Sequence, residues 1–167
     1  MDAGLVIGRV VFGGLMAAHG AQKYFGWFGG YGFDAVSGMF DSLGFRPGRL
    51  FAAAASVSEI AAGLLIAAGL LGPVGPALML SVMIVAAVSV HWQHGLFAAT
   101  NGIEMPLLYG AAAVVLALTG PGAYSLDAVL GFSTLWTPAL TGIALAIGVA
   151  GALANLAARK VPAAATA

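Results

Sequence analysis

Residues 19–30 read HGAQKYFGWFGG, and they end the first long apolar run of the chain. Because this run starts near residue 3, it has about the 20-residue length that a membrane-spanning helix needs. Asp2 is the only charge before Arg9, whereas a cleaved signal peptide has a basic start and a shorter apolar region. The pattern therefore predicts a retained transmembrane helix over residues 3–22, followed by tryptophan- and glycine-rich turns.

The composition indicates an integral membrane protein. The chain of 167 residues is 61% hydrophobic and 7% charged, and its mean hydropathy is +1.01. Soluble domains carry roughly 25% charged residues, so this chain has too little charge to cover a surface in water. The net charge of zero, with no basic patch, argues against nucleic acid as a partner. The absence of cysteine excludes disulfides and thiolate chemistry, so any redox role needs a bound cofactor or a partner protein.

Five apolar segments are long enough for membrane helices, and the predicted fold is an all-α membrane bundle. The predicted spans cover residues 3–22, 50–71, 74–92, 104–119 and 136–157. The fourth is short and is expected to extend back to Gly102. Residues 33–43 have apolar side chains at helical spacing, which predicts a short amphipathic helix lying either in the membrane interface or on the bundle. Residues 161–167 are alanine-rich and are predicted to form a disordered tail.

The basic residues predict the orientation of the bundle. With five spans, five of the six lysines and arginines fall on one side of the membrane. These residues are Lys23, Arg46, Arg49, Arg159 and Lys160. Since basic loops stay in the cytoplasm, we expect the C-terminus inside and the N-terminus outside.

Two charged residues lie in the interior of predicted spans, away from the span ends, where an ionisable group costs roughly 2.5–3.5 kcal/mol at the membrane centre by insertion scales. Arg9 is in the first span and Glu59 is in the second, at similar heights when counted from their shared loop. The sequence therefore predicts an Arg9–Glu59 ion pair. Such a pair either locks the two helices together or takes part in chemistry directly.

A second polar group is predicted where three spans end on the cytoplasmic side. It comprises His19, Lys23, His91, His94 and Glu104. The spacing of His91 and His94 suits two metal ligands, but it is equally typical of histidines that cap a helix C-terminus, and capping is the favoured interpretation. Taken together, the group is interpreted as a polar pocket.

Aromatic side chains surround this level of the bundle. Tyr24, Trp27 and Trp92 are typical of the aromatic belt at a membrane interface, which is the favoured interpretation. As an alternative, they form the wall of an apolar pocket for a ring-shaped lipid such as a quinone.

These residues together form a pattern that resembles the bacterial DoxX family over residues 3–127. The pattern consists of Arg9, His19-Gly20-x-x-Lys23-x-Phe25-Gly26, Glu59 with Gly63, His91, Glu104-x-Pro106 and the segment GPGAYSLD at 120–127. The resemblance implies a four-helix membrane domain over residues 1–130 in a bacterial inner membrane. Relatives include the small subunit of an archaeal thiosulfate:quinone oxidoreductase and proteins of oxidative-stress and thiol-redox systems. Residues 131–160 would add a further transmembrane helix to this domain.

Three hypotheses for function follow. The first is a membrane subunit of a quinone-linked redox system, in which Arg9, Glu59 and the polar pocket bind a quinone and move protons. His19 is the preferred proton carrier because imidazole changes charge near neutral pH. The second is a non-catalytic scaffold that recruits a soluble redox enzyme to the lipid membrane. The third is a small-molecule permease, and a homo-oligomer is compatible with each.

Overall fold

The computed structural model describes residues 2–160, and the predicted tail at 161–167 lies outside these residues. Seven α-helices follow one another along the described chain, and no strand occurs in it. They are α1 (Asp2–Phe25), α2 (Phe33–Ser42), α3 (Gly48–Ala68), α4 (Val74–Ala86), α5 (Glu104–Thr119), α6 (Leu126–Leu130) and α7 (Pro138–Ala157). A π-helix at Ala87–His91 and a 3₁₀ turn at Trp92–His94 continue α4. The prediction of an all-α membrane bundle is confirmed.

Four helical segments are long and apolar enough to cross a membrane, so the chain is a multi-pass membrane protein. They are α1, α3, α7 and the continuous segment Val74–His94. Helix α5 is apolar but has only 16 residues, and it packs against α4 inside the bundle. It does not extend back to Gly102 as predicted. The backbone N–H of Gly102 donates to Phe97 and that of Glu104 donates to Leu96, so this stretch is held in the preceding loop.

Helix α3 ends three residues before its predicted limit at 71. Its last helical residue is Ala68, and Gly69 follows with φ 63°, a left-handed conformation that glycine adopts without steric cost. Leu71 also has a positive φ, and α4 begins at Val74. The turn between α3 and α4 therefore starts earlier than hydropathy alone indicates.

Helices α1 and α3 run antiparallel and form the most extensive helix contact of the described bundle, and small residues face each other across it. A Cβ added to Gly13 would lie 2.6 Å from the carbonyl oxygen of Gly63. One added to Gly20 would lie 2.6 Å from the carbonyl oxygen of Ser56. Small residues at such positions let helix backbones approach closely in a membrane. These two contacts fix the register of α1 on α3.

The five basic residues gathered by the topology prediction lie at one end of the bundle, which we call the basic end. Helix α2 packs on the start of α3 with Val36 and Ser37 buried, so it lies against the bundle. The chain end closes onto the same region, since the N–H of Lys160 donates to the carbonyl of Gly44 at 2.8 Å. Arg159 lies over the ring of Phe45, 5.8 Å from its centroid.

At the opposite end, Asp127 joins three elements. Its fully buried carboxylate accepts hydrogen bonds from the backbone N–H groups of Leu71 and Gly72 at 2.8 and 2.7 Å. It also accepts one from the indole of Trp136 at 2.7 Å, just before α7 begins. The carboxylate therefore holds the α3–α4 turn, α6 and the approach to α7 together.

Candidate functional site

A buried ion pair links α1 to α3 near the basic end. The ammonium of Lys23 donates to Oε1 of Glu59. The two side chains are unequally exposed, with 30% of the Lys23 side chain and 1% of the Glu59 side chain accessible. Glu59 is therefore the fully buried member of the pair, whereas part of the Lys23 side chain is exposed at the surface.

The predicted Arg9–Glu59 ion pair is wrong. Arg9 is buried at the other end of the bundle, where its guanidinium donates to the carbonyls of Pro121 (2.6 Å) and Tyr124. Its Nε has no hydrogen-bond partner among residues 2–160.

The register between α1 and α3 explains the error. Gly13 lies against Gly63, and Gly20 lies against Ser56, so the residue that lies opposite Arg9 is Gly69, which directly follows α3. Gly69 is ten residues beyond Glu59, a rise of about 15 Å along the helix. The prediction counted residues from the shared loop, and that count differs from the observed register of α1 on α3 by about six residues. Lys23, with its long flexible stem, reaches Glu59 instead.

A cavity of about 200 Å³ lies beside the ion pair. Side chains from α1, α3, α4, α5 and the π-helical segment line it. They are Met16, His19, Lys23, Glu59, Met83, Ala86, His91, Met105, Pro106 and Tyr109. His19 and Met105 are exposed, so the cavity opens to the surface between α1 and α5, two apolar helices. We call it the lipid-side cavity.

One carboxylate oxygen of Glu59, a residue that lines this cavity, has no protein partner. Oε1 is bound to Lys23, whereas Oε2 is buried and accepts no hydrogen bond from residues 2–160. A buried acceptor left unpaired costs about 1–3 kcal/mol, and more for a charged group. A carboxylate that is already paired with a lysine ammonium is an acceptor only. The partner that Oε2 lacks is a hydroxyl or N–H donor, and water is one such donor.

The π-helix places His91 on the wall of the cavity. This segment covers Ala87–His91, within the last two turns of the helical stretch. The Nδ1–H of His91 donates to the carbonyl of Asn101 at 2.7 Å, because a carbonyl can only accept. This bond leaves Nε2 as the ring nitrogen that can take up or release a proton. Short π-helical insertions are frequent at functional sites.

His19 and Tyr109 form the aromatic part of the lining. Their rings meet edge to face, with centroids 6.1 Å apart. The Tyr109 ring also meets Phe12 edge to face at 5.6 Å, which fixes its position in the core. Tyr109 is 5% exposed, so its hydroxyl is a polar group inside an apolar bundle.

The structure thus brings together His19, Lys23, Glu59 and His91, four of the residues to which the first hypothesis assigned quinone binding and proton transfer. Arg9 lies at the opposite end of the bundle. Glu104 is at the correct end but outside the cavity lining, because its Oε2 accepts the backbone N–H of Ala98 at 2.7 Å and holds the loop before α5.

The predicted aromatic wall lies outside the lipid-side cavity, and of the predicted metal pair His91 lines the cavity whereas His94 does not. Tyr24, Trp27 and Trp92 are 39%, 58% and 69% exposed and do not line it. The Nδ1–H of His94 donates to the carbonyl of Val90 at 3.1 Å, as in a helix-capping histidine. Within residues 2–160, no group of three or more His, Cys, Asp or Glu side chains could hold a metal ion.

Sequence reasoning missed the contributions of Tyr109 and the methionines. Tyr109 follows Glu104-x-Pro106 by one helical turn and is the single hydroxyl-bearing residue between Met105 and Leu118. That isolated polar group in an apolar helix was the available signal. Met16, Met83 and Met105 gave no such signal, since methionine is an ordinary core residue of apolar helices.

A family model described as DoxX matches residues 4–92, more than half of the chain. The matched range includes His19, Lys23, Glu59 and His91, and it ends before α5 supplies Tyr109. No curated protein and no solved structure matches the chain.

Proposed function

The chain belongs to the DoxX family, and from that premise we propose that it is the membrane subunit of a quinone-linked redox system. The lipid-side cavity binds the ring of a quinone or of its reduced form, the quinol. The residues around the ion pair handle the protons that accompany the redox change. The isoprenoid tail of the quinone lies in the lipid outside.

The observation that carries this proposal is that Glu59 lines the cavity and its buried Oε2 has no partner among residues 2–160. A quinol presents an O–H donor at each end of its ring, which supplies the hydrogen bond that Oε2 lacks. A quinone presents a carbonyl instead, and Lys23, Tyr109 and protonated histidine offer donors for it. The same site therefore has polar partners for both redox states.

The size and position of the cavity favour a single ring. An engineered apolar cavity of about 150 Å³ in another protein accepts benzene. At about 200 Å³, the lipid-side cavity is of that scale, and methionine side chains supply an adaptable apolar lining. Because it opens between two apolar helices, a lipid-soluble ligand reaches it without crossing water.

In the direction of quinone reduction, the ring takes up two electrons and two protons. We propose that a soluble redox protein docked at the basic end supplies the electrons, since the chain has no cysteine for thiol redox chemistry. One proton passes from Lys23 through Glu59 to one ring oxygen, and the second comes from His91 or His19. Quinol oxidation runs the same steps in reverse.

The test is photolabelling of the purified protein in lipid nanodiscs with an arylazido derivative of a short-chain benzoquinone. We expect the label on the peptides that contain Met83–His91 and Met105–Tyr109, with competition by the unlabelled quinol. Glu59→Gln removes the charged acceptor. It should weaken quinol competition by roughly tenfold or more, because a hydrogen bond to a charged group contributes about 1.5–3 kcal/mol.

Glu104→Gln is the matched control, because it makes the same chemical change at the same end of the bundle but outside the cavity. Its labelling and competition should equal those of the parent. Equal losses in both variants, or labelling spread over lipid-facing surfaces only, would overturn the proposal. Copurification of a soluble redox protein with an unlabelled cavity would favour the scaffold function instead.

A further inference from the structure

A second cavity lies on the other side of Lys23, beneath α2. Its volume is about 130 Å³. Its apolar wall comes from α2, the turn that follows it, α3 and α4, and Lys23 and Ala86 are the residues that it shares with the lipid-side cavity. We propose that this cavity is a water-filled inlet that brings protons from the basic end to Lys23 and Glu59. This inference rests on the proposed function and assigns the route of its protons.

The polar side chains of this inlet cavity carry the argument. Among its lining residues are Ser58, Ser81, Ser89 and Asn155, in addition to Lys23. The Ser89 hydroxyl donates to the carbonyl of Val85 at 2.6 Å, and the Asn155 amide donates to Gly151 at 2.9 Å. The oxygens of both groups therefore keep lone pairs for water. A buried water typically makes about three hydrogen bonds to such groups.

The position of the inlet cavity gives it access to water rather than to the middle of the lipid. It is lined by the first half of α3, by residues 81–90 of the helical segment Val74–His94 and by Asn155, two residues before the end of α7 at Ala157. Asn155 is exposed, and Met39 of α2 is 41% exposed. The opening therefore lies at the basic end, between α2 and the end of α7.

Lys23 connects the two cavities. A lysine ammonium has three N–H donors, and one of them binds Glu59. The side chain is 30% exposed, which leaves the other donors able to meet water in the inlet cavity. When Lys23 gives a proton to Glu59 and Glu59 gives one to the ligand, the inlet water passes a proton from the bulk water at the basic end to the lysine. The net step moves one proton from bulk water to the ligand and leaves Lys23, Glu59 and the inlet water in their starting states.

The natural absence of cysteine allows a direct test with single-cysteine variants in nanodiscs. The probe is Ag⁺, a small cation that reacts with thiols in water and does not enter lipid. Its extent of reaction is measured as protection from a maleimide added after denaturation. Ser58→Cys lines the inlet cavity, and Val57→Cys, the matched control, lies at the same height but is 55% exposed on the outer face of α3.

A second pair repeats the test on another helix, should the first variant fold poorly. Ser89→Cys lines the inlet cavity and Val88→Cys, its neighbour, is 47% exposed. In each pair we expect the cavity thiol to react with Ag⁺ at least roughly tenfold faster than the control, since only an ionised thiol binds metal readily. Adding Asn155→Phe at the opening should slow the reaction of both cavity thiols but not that of the controls.

Equal rates within both pairs would mean that the cavity is dry or filled by a lipid chain, and the inlet would be ruled out. Quinone photolabelling of the lipid-side cavity reports on the proposed function independently. If the quinone labels the lipid-side cavity but the Ser58→Cys and Ser89→Cys thiols do not react, the quinone site is supported and only this proton route is ruled out. Reactive cavity thiols without quinone labelling would leave a hydrated inlet but overturn its role in quinone chemistry.

Discussion

Lys23 and Glu59 reach water to different extents, and this difference predicts unequal costs when either is replaced. Lys23→Met leaves the carboxylate of Glu59, which is 1% exposed, without its partner. Breaking a buried pair in this way costs about 3–5 kcal/mol. Glu59→Gln should cost less, because the 30% exposed ammonium can turn its flexible stem toward water. The unfolding temperature in mild detergent should be lower for Lys23→Met than for Glu59→Gln. The double variant should regain most of the stability that Lys23→Met loses.

Arg9 provides the matching test of the corrected pairing. Arg9 and Glu59 lie about 15 Å apart along the bundle and share no partner, so their substitutions should act independently. The unfolding shift of Arg9→Met/Glu59→Gln should therefore equal the sum of the two single shifts. If Arg9→Met/Glu59→Gln were more stable than this sum predicts, and Lys23→Met/Glu59→Gln were not, then Arg9 would be the partner of Glu59, as the sequence predicted.

The residues of the pair could be predicted from sequence only in part. A glutamate inside an apolar helix needs a partner, and that argument correctly singled out Glu59. The choice of partner depends on helix register, which glycine contacts such as Gly13–Gly63 determine. Hydropathy does not encode that register, because an apolar helix can slide by a turn and remain apolar.

At the level of the helices, the α1–α3 contact predicts opposite effects for two neighbouring glycines. Gly13→Ala places a methyl group 2.6 Å from a backbone oxygen of α3, and such overpacking costs about 1–3 kcal/mol. Gly14→Ala meets no atom within 4 Å and should be neutral or stabilising, because alanine favours a helix by up to about 1 kcal/mol over glycine. The two unfolding temperatures in detergent measure the difference. Equal shifts would show that α1 and α3 are not in this contact.

At the end opposite the basic end, the hydrogen bonds of Asp127 predict that two Asp→Asn variants will differ in their resistance to proteolysis. Asp127→Asn keeps the shape of the side chain but weakens three hydrogen bonds to a buried carboxylate, each of about 1.5–3 kcal/mol when charged. Asp34→Asn removes an exposed ion pair with Arg49, which contributes at most about 1 kcal/mol. Limited proteolysis should therefore cut the segment 120–137 faster in Asp127→Asn and leave Asp34→Asn like the parent. Similar cleavage in both variants would contradict the joining role of Asp127.

Local helix form was harder to predict than helix existence. The segment 74–92 was predicted as a regular helix, whereas the structure continues it to His94 and makes Ala87–His91 π-helical. The residues AVSVH carry no distinctive signal for this change. The altered turn belongs to the tertiary environment of the lipid-side cavity, where it orients His91.

For the whole molecule, the all-α class and the apolar character of the long helices could be predicted because both follow from hydropathy and charge. The short helix α6 was not predicted, and α5 is shorter than the four segments that are long enough to span. The two cavities could not be predicted, since each depends on side chains from several helices whose register and rotation only packing determines. Tyr109 and Ser58 come from helices predicted correctly, yet nothing in their local sequence indicates which cavity they line. The fold class can be predicted because each helix follows from its own segment of sequence. The cavities cannot, because they depend on contacts between helices.

The orientation of the bundle in the membrane is the prediction that belongs to the whole chain. The basic end carries Lys23, Arg46, Arg49, Arg159 and Lys160. At the opposite end, Arg9 is buried against backbone carbonyls and does not act as a loop charge. The bias of basic loops toward the cytoplasm therefore applies without an opposing signal.

Two single-cysteine variants test this orientation in intact cells with a membrane-impermeant maleimide. Ser133→Cys is exposed at the end opposite the basic end and should be labelled in intact cells. Ala99→Cys is exposed in the loop before α5, at the basic end, and should be labelled only after lysis. The reverse pattern would place the inlet cavity on the outer side of the membrane. The protons for a bound quinone would then come from outside the cell, so the labelling pattern also determines which compartment supplies them.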